Sequence, residues 1–167
     1  MKKILTLLLV LGAGIFSSDA QTGIAKNLVV GSAILDFPKN TTNGIILPAV
    51  ELLPANPVNG TLLLDKSDKK VKMLENNSWI ELSGTGNTTS LVPYSGTIDN
   101  GKRTIIGDQT STADGVLVLE SEVLALVLPH IDKPHLNVKG PYPGMICYDT
   151  DRKALAVYDG SVWNYWK

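Results

Sequence analysis

Two histidines, His130 and His135, one cysteine, Cys147, and a scatter of carboxylates are the residues from which chemistry would be built in this sequence. With Asp132 they make a zinc donor set on paper. The spacing of five between the histidines spans Pro134 and suits neither one face of a helix nor a Cys-x-x-Cys knuckle. Both read as polar loop residues. Cys147 lies in the apolar run Met145–Tyr148 and aligns with Leu63 in the duplication described below, which makes it a core thiol rather than a nucleophile. Asp65, Asp68, Asp149 and Asp151 offer oxygens for calcium, which takes about six to eight such ligands. Lys66, Lys69, Lys70, Arg152 and Lys153 are interleaved with them, and charge-paired hairpin turns account for the pattern. The sequence has no Walker loop, no Gly-x-Ser-x-Gly elbow and no His-Glu-x-x-His. The Asn-x-Ser/Thr triplets at Asn40, Asn59, Asn76 and Asn87 are what a Thr- and Asn-rich chain generates by composition. The expectation is a protein that is not an enzyme, with no catalytic residue, cofactor or metal.

The aromatic residues offer binding rather than reaction. Trp79 and Trp163 occupy the same place in two aligned segments, which favours a structural role across a facing strand. Tyr165 and Trp166 have no aromatic counterparts, because Glu81 and Leu82 stand in the first segment. They are the candidates for contact with a partner or a glycan.

The elements that would position these residues are duplicated. Gly60-Thr-Leu-Leu-Leu-Asp65 lines up with Gly144-Met-Ile-Cys-Tyr-Asp149 at an offset of 84, and the match runs on through Lys69/Lys153, Val71/Leu155, Met73/Val157 and Trp79/Trp163. Upstream, Gly44-Ile-Ile-Leu-Pro48 corresponds to Ala125-Leu-Val-Leu-Pro129, and Ala33–Asp36 to Leu117–Glu120. The second copy carries a longer loop, Asp132–Tyr142. Short apolar runs bounded by Asp, Asn, Gly and Ser give strands and hairpins, with Asp159-Gly160 and Asn76-Asn77 as turns. Leu117–Leu128 is the one helix candidate, but its valines and the closing Pro129 favour strands. Ser83–Ser90 is small, polar and nearly uncharged, the composition of a flexible linker. The domains are therefore a first β repeat at 21–83, a polar linker at 84–100 and a second β repeat at 101–167.

Residues 1–20 read as a signal peptide. Lys2-Lys3, the apolar run Ile4–Ile15 and the small residues Ser18 and Ala20 predict export with Gln21 as the new N-terminus. The apolar run is shorter than a spanning helix requires. The destination would be extracellular or the outer cell surface, with the periplasm as the alternative. A formal net charge of −1, and a lysine cluster at 66–72 broken by Asp68, leave no basic face for nucleic acid. One cysteine cannot form an internal disulfide. The runs Leu62–Leu64 and Leu124–Leu128 are continuously apolar, which suits strands covered on both faces. A meander this short cannot supply that cover itself, so a homo-oligomer is expected.

Pro143–Asp151 followed by Leu155–Trp163 resembles a repeat module of secreted and phage-tail-fibre-like proteins of Bacteroidetes, and Ile105–Gly107, Val116–Glu120 and Leu126–Pro129 follow the order of its phrases. His130 and Ala49 stand where that module has a basic residue after the proline. The resemblance implies a β-rich, non-catalytic unit of a fibrous or surface assembly, often trimeric. The resulting expectation is an all-β chain of two repeated hairpin or meander units in an oligomeric, fibre-like assembly. It would act as a structural or adhesive component: an adhesin, a filament subunit, or an accessory of a gliding or secretion apparatus. A small secreted hydrolase or a glycan-binding module is the alternative.

Overall fold

The structure, a computed structural model, describes residues 21–29, 31–92 and 103–167. The signal-peptide reading, the turn at Asn100-Gly101 and the end of the polar linker lie outside the described residues. The described chain is built from strands, with one helix of four residues, and none of its helices is long and apolar enough to cross a membrane.

In chain order the elements of the first half are β1 (Thr22–Gly23), β2 (Ala33–Asp36), β3 (Ile45–Ile46), β4 (Ala49–Val50), β5 (Leu62–Asp65), β6 (Lys70–Glu75) and β7 (Ser78–Glu81). The second half holds β8 (Thr104–Ile106), β9 (Leu117–Leu119), β10 (Ala125–Leu126), β11 (His130–Ile131), α1 (Pro134–Asn137), β12 (Met145–Asp149), β13 (Ala154–Tyr158) and β14 (Trp163–Trp166). Leu117–Leu128 thus holds the short strands β9 and β10 and no helix. α1 breaks the all-strand pattern because Pro134 opens it with a preset φ and lacks only an N–H that the first turn leaves unused.

Two sheets share one strand succession. In one, β4 runs parallel to β5, and β5, β6 and β7 form an antiparallel meander. In the other, β11 runs parallel to β12, and β12, β13 and β14 form the meander. Their registers coincide after an offset of 84: Leu64 faces Val71 as Tyr148 faces Leu155, and Leu74 faces Trp79 as Tyr158 faces Trp163. The same offset relates the parallel pair β1–β2 to the parallel pair β8–β9, with Thr22 opposite Leu35 and Ile106 opposite Leu119. The tight turn of the first meander takes Asn76 and Asn77 at φ 49° and 59°, the double positive φ of a two-residue hairpin.

Strands cross from one half to the other. β3 adds antiparallel to β12, and β10 adds parallel to β2. The main core joins Leu47, Leu64, Val71 and Leu82 to Ile146 and Val157. Leu63 and Leu64 are both buried although they point to opposite faces, so β5 is covered on both sides. Leu124–Leu128 is not: Ala125 and Leu126 are exposed within one chain.

The segment after β7 is anchored rather than free over its first residues. Ser83 Oγ accepts from Val71 N (3.0 Å), Gly86 N donates to Lys69 O (2.8 Å) and Asn87 N donates to Asp159 O (2.9 Å). Its small residues serve close approach. A Cβ on Gly86 would overlap Asp159, and a Cβ on Gly160 would overlap the Asn87 carbonyl. Composition alone reads such residues as a tether, because the partner backbone is distant in sequence.

A candidate aromatic cleft on the second sheet

The two sheets differ on their outer faces. On the first, Lys72 projects from β6 and pairs with Asp65 (2.7 Å) and Asp68 (2.5 Å). Burial works against the charge on Asp65, but hydrogen bonds from Lys72 and Ser67 overcome it and hold the carboxyl down at about 2. Ala156 stands at the corresponding place in the second sheet, and Trp163 and Tyr165 pack there with Ile131, Cys147 and Val138. The loop carrying α1 is three residues longer than its counterpart between Pro48 and Gly60, and it lays Val138 onto this face.

Between that loop and β14 runs a cleft of about 490 Å³ whose lining includes His135, Pro141, Arg152, Tyr158, Trp163 and Tyr165. The Arg152 guanidinium lies over the Tyr165 ring, 4.5 Å from its centroid, in cation–π geometry. Arg152 Nη1 is 3.0 Å from His135 Nδ1, and Tyr165 Oη is 3.5 Å from the same nitrogen. Tyr158 and Trp163 face each other at 5.4 Å. Burial pushes the Tyr165 phenol up, against the pull of Arg152.

Buried carboxylates fix the turns that present these groups. Asp149 is fully buried; its carboxylate accepts from the Asp151 and Arg152 backbone (2.9 and 3.2 Å) and from Arg152 Nη1 (3.2 Å). Burial alone would raise it, and these bonds hold it below the usual carboxylate range. Asp159 accepts from Ser161 N, Val162 N and Asn164 Nδ2, all at 2.8 Å, shaping the turn before β14.

Tyr165 and Trp166, which the sequence groups together, do not share a surface. Adjacent residues on a strand point to opposite faces. Tyr165 lines the cleft, whereas Trp166 turns to the seam between the sheets, where its Nε1 donates to Leu82 O (3.1 Å). Neither histidine is a loop residue: His130 lies in β11 with its ring tilted 46° against Tyr148 at 5.2 Å, and His135 lies in α1 and lines the cleft. Cys147 is buried, and burial, with the Asp149 charge beside it, pushes its thiol up to about 12. Among the described residues no three His, Cys, Asp or Glu side chains gather as metal ligands. Arg152 and the loop residues around α1 escape a sequence reading; the available signal was the length excess of that loop. Chemically the cleft offers flat aromatic faces and one guanidinium, which suit a sugar ring bearing an acidic or hydroxyl-rich edge. No protein-family model matches this chain, and neither a curated protein nor a solved structure does.

Proposed function

We propose that this chain is a non-catalytic structural or adhesive subunit of an extracellular or cell-surface assembly, exported with Gln21 as its first residue and working as a homo-oligomer. The observation that carries this reading is the coincident register of the two sheets, together with the strands β3 and β10 that each half lends to the other. On this reading the sheets are copies of one building unit, and β pairing is the means by which units join. The similarity to the tail-fibre-like module of Bacteroidetes supports the reading and favours a trimer. Light scattering on the chain from Gln21 onward tests it: an oligomer at micromolar concentration is expected, and a folded monomer refutes it. N-terminal sequencing of the exported protein should begin at Gln21.

The cleft favours a second reading, a glycan-binding module, because Trp163, Tyr165 and Arg152 present aromatic faces beside a guanidinium. Titration with acidic and neutral oligosaccharides tests it; Tyr165→Ala should abolish any binding found. A small hydrolase is tested by replacing His130, His135 and Cys147 together, which would abolish an activity that used them and leave assembly intact.

A further inference from the structure

β12 is flanked along one edge by two strands. β11 covers Tyr148 and Asp149, and β3 covers Met145 and Ile146, with Ile46 opposite Met145, Ile45 opposite Ile146, and Leu47 N donating to Gly144 O at 2.9 Å. On β5 the corresponding edge is half filled. β4 covers Leu64 and Asp65, and among the described residues no strand lies beside Thr61 and Leu62. The backbone there is set in the same way. Gly60 N donates to Leu74 O as Gly144 N donates to Tyr158 O, both at 2.8 Å, and the two glycines have φ of 90° and 83°.

The strand that would fill the gap exists in the chain but is turned elsewhere. β10 is the counterpart of β3. It bonds β2 through Ala125 N and Val127 N, so the backbone groups of Leu126 and Leu128 point away from β2, the direction in which Ile45 and Leu47 meet β12. Burial follows the same division. Ile146, which has its partner, is 1% exposed, while Leu62 is half-buried and Leu126 is 37% exposed. A second open edge adjoins the first: β2 has neighbours on both sides, but among the described residues β9 pairs only with β8, and Leu117 is 43% exposed where Ala33 is sealed.

We propose that a second copy of this chain completes these edges: Leu126–Val127 of one molecule pairs antiparallel with Thr61–Leu62 of another, repeating between molecules the β3–β12 ladder found within one. The register follows from the internal ladder. Val127 faces Thr61, Leu126 faces Leu62, and Leu128 N donates to Gly60 O. In the same contact Leu119 meets Ile45 of the other copy, as Leu35 meets Leu126 internally. The contact joins two different surfaces, so it closes a ring if the rotation permits and otherwise propagates as a filament. This inference rests on the oligomer reading above and names its interface.

The test uses two single variants of the chain, Thr61→Cys and Val127→Cys, refolded together and mildly oxidised. Facing residues in the non-hydrogen-bonded pair of an antiparallel ladder are close enough for a disulfide. The expected product is a disulfide-linked dimer containing one of each variant, absent from either variant alone and from a control mixture of Thr61→Cys with Leu52→Cys. An oligomer by light scattering without the mixed disulfide overturns this interface and leaves the oligomer reading standing; a monomer overturns both. Leu126→Arg in the otherwise unaltered chain is the second measurement. It should weaken assembly at least tenfold while the β-sheet circular dichroism signal stays unchanged, and an unweakened assembly overturns the proposal.

Discussion

The indole Nε1 of Trp166 donates to the main-chain oxygen of Leu82 at 3.1 Å, and the two residues are 84 positions apart, the offset that relates the registers of the two sheets. Each ends its own meander, so equivalent termini touch across the seam. Trp166→Phe keeps most of the apolar contact and deletes the donor. It should cost about 1 kcal/mol, the ordinary net worth of such a bond, read as a lower urea midpoint with an unchanged slope.

Gly160 combines a φ of 96° with the Asn87 carbonyl directly where a Cβ would stand. Gly160→Ala should therefore destabilise the fold by about 3 kcal/mol or more, since strain and steric overlap act together. Gly84→Ala is the control, because nothing lies within 4 Å of its Cβ position; its urea midpoint should move little. Equal effects of the two changes would refute the role given to the close approach of Gly160 to Asn87.

Acid sensitivity should trace in part to Asp65, alongside the buried Asp149. Its carboxyl is held at about 2 in the folded chain against 3.8 for the ordinary group. A depressed folded value means that the stabilisation is complete above about pH 4 and is lost as pH falls toward 2. The size is on the order of 2 kcal/mol. Urea midpoints across that range should fall in the parent chain and fall less in Asp65→Asn. Parallel curves would refute the assignment.

Cys147 should be silent to thiol reagents at pH 8 in the native protein, since it is buried and its thiol is pushed up to about 12. The thiolate is the reacting form. Reaction with an aromatic disulfide reagent should appear only in denaturant. Rapid labelling of the folded chain would contradict the core placement.

Much of the local architecture was legible. Apolar runs bounded by turn residues marked β5 and β12 to within a residue or so, and Asn76, Asn77 and Gly160 take the positive φ that their turns favour. The long-range joins were not legible. β3 and β10 are two residues each, and their partners lie about a hundred residues away, so no period or turn signal announces them. The cleft was half visible. Tyr165 stood out because Glu81 replaces it in the first sheet, but Arg152 looked like one half of a charged turn. Its place over the Tyr165 ring depends on the turn that Asp149 holds, which is a tertiary fact.

The main core is shared between Leu47, Leu64, Val71 and Leu82 on one side and Ile146 and Val157 on the other. A chain emerging from a ribosome or a translocation channel delivers the first group long before the second. Until the final hairpins arrive, the early strands have no lid, and closing such distant contacts is slow. The nascent first half is therefore a holding state rather than a folded intermediate, and truncation anywhere before β12 should yield an aggregating fragment instead of a smaller stable protein.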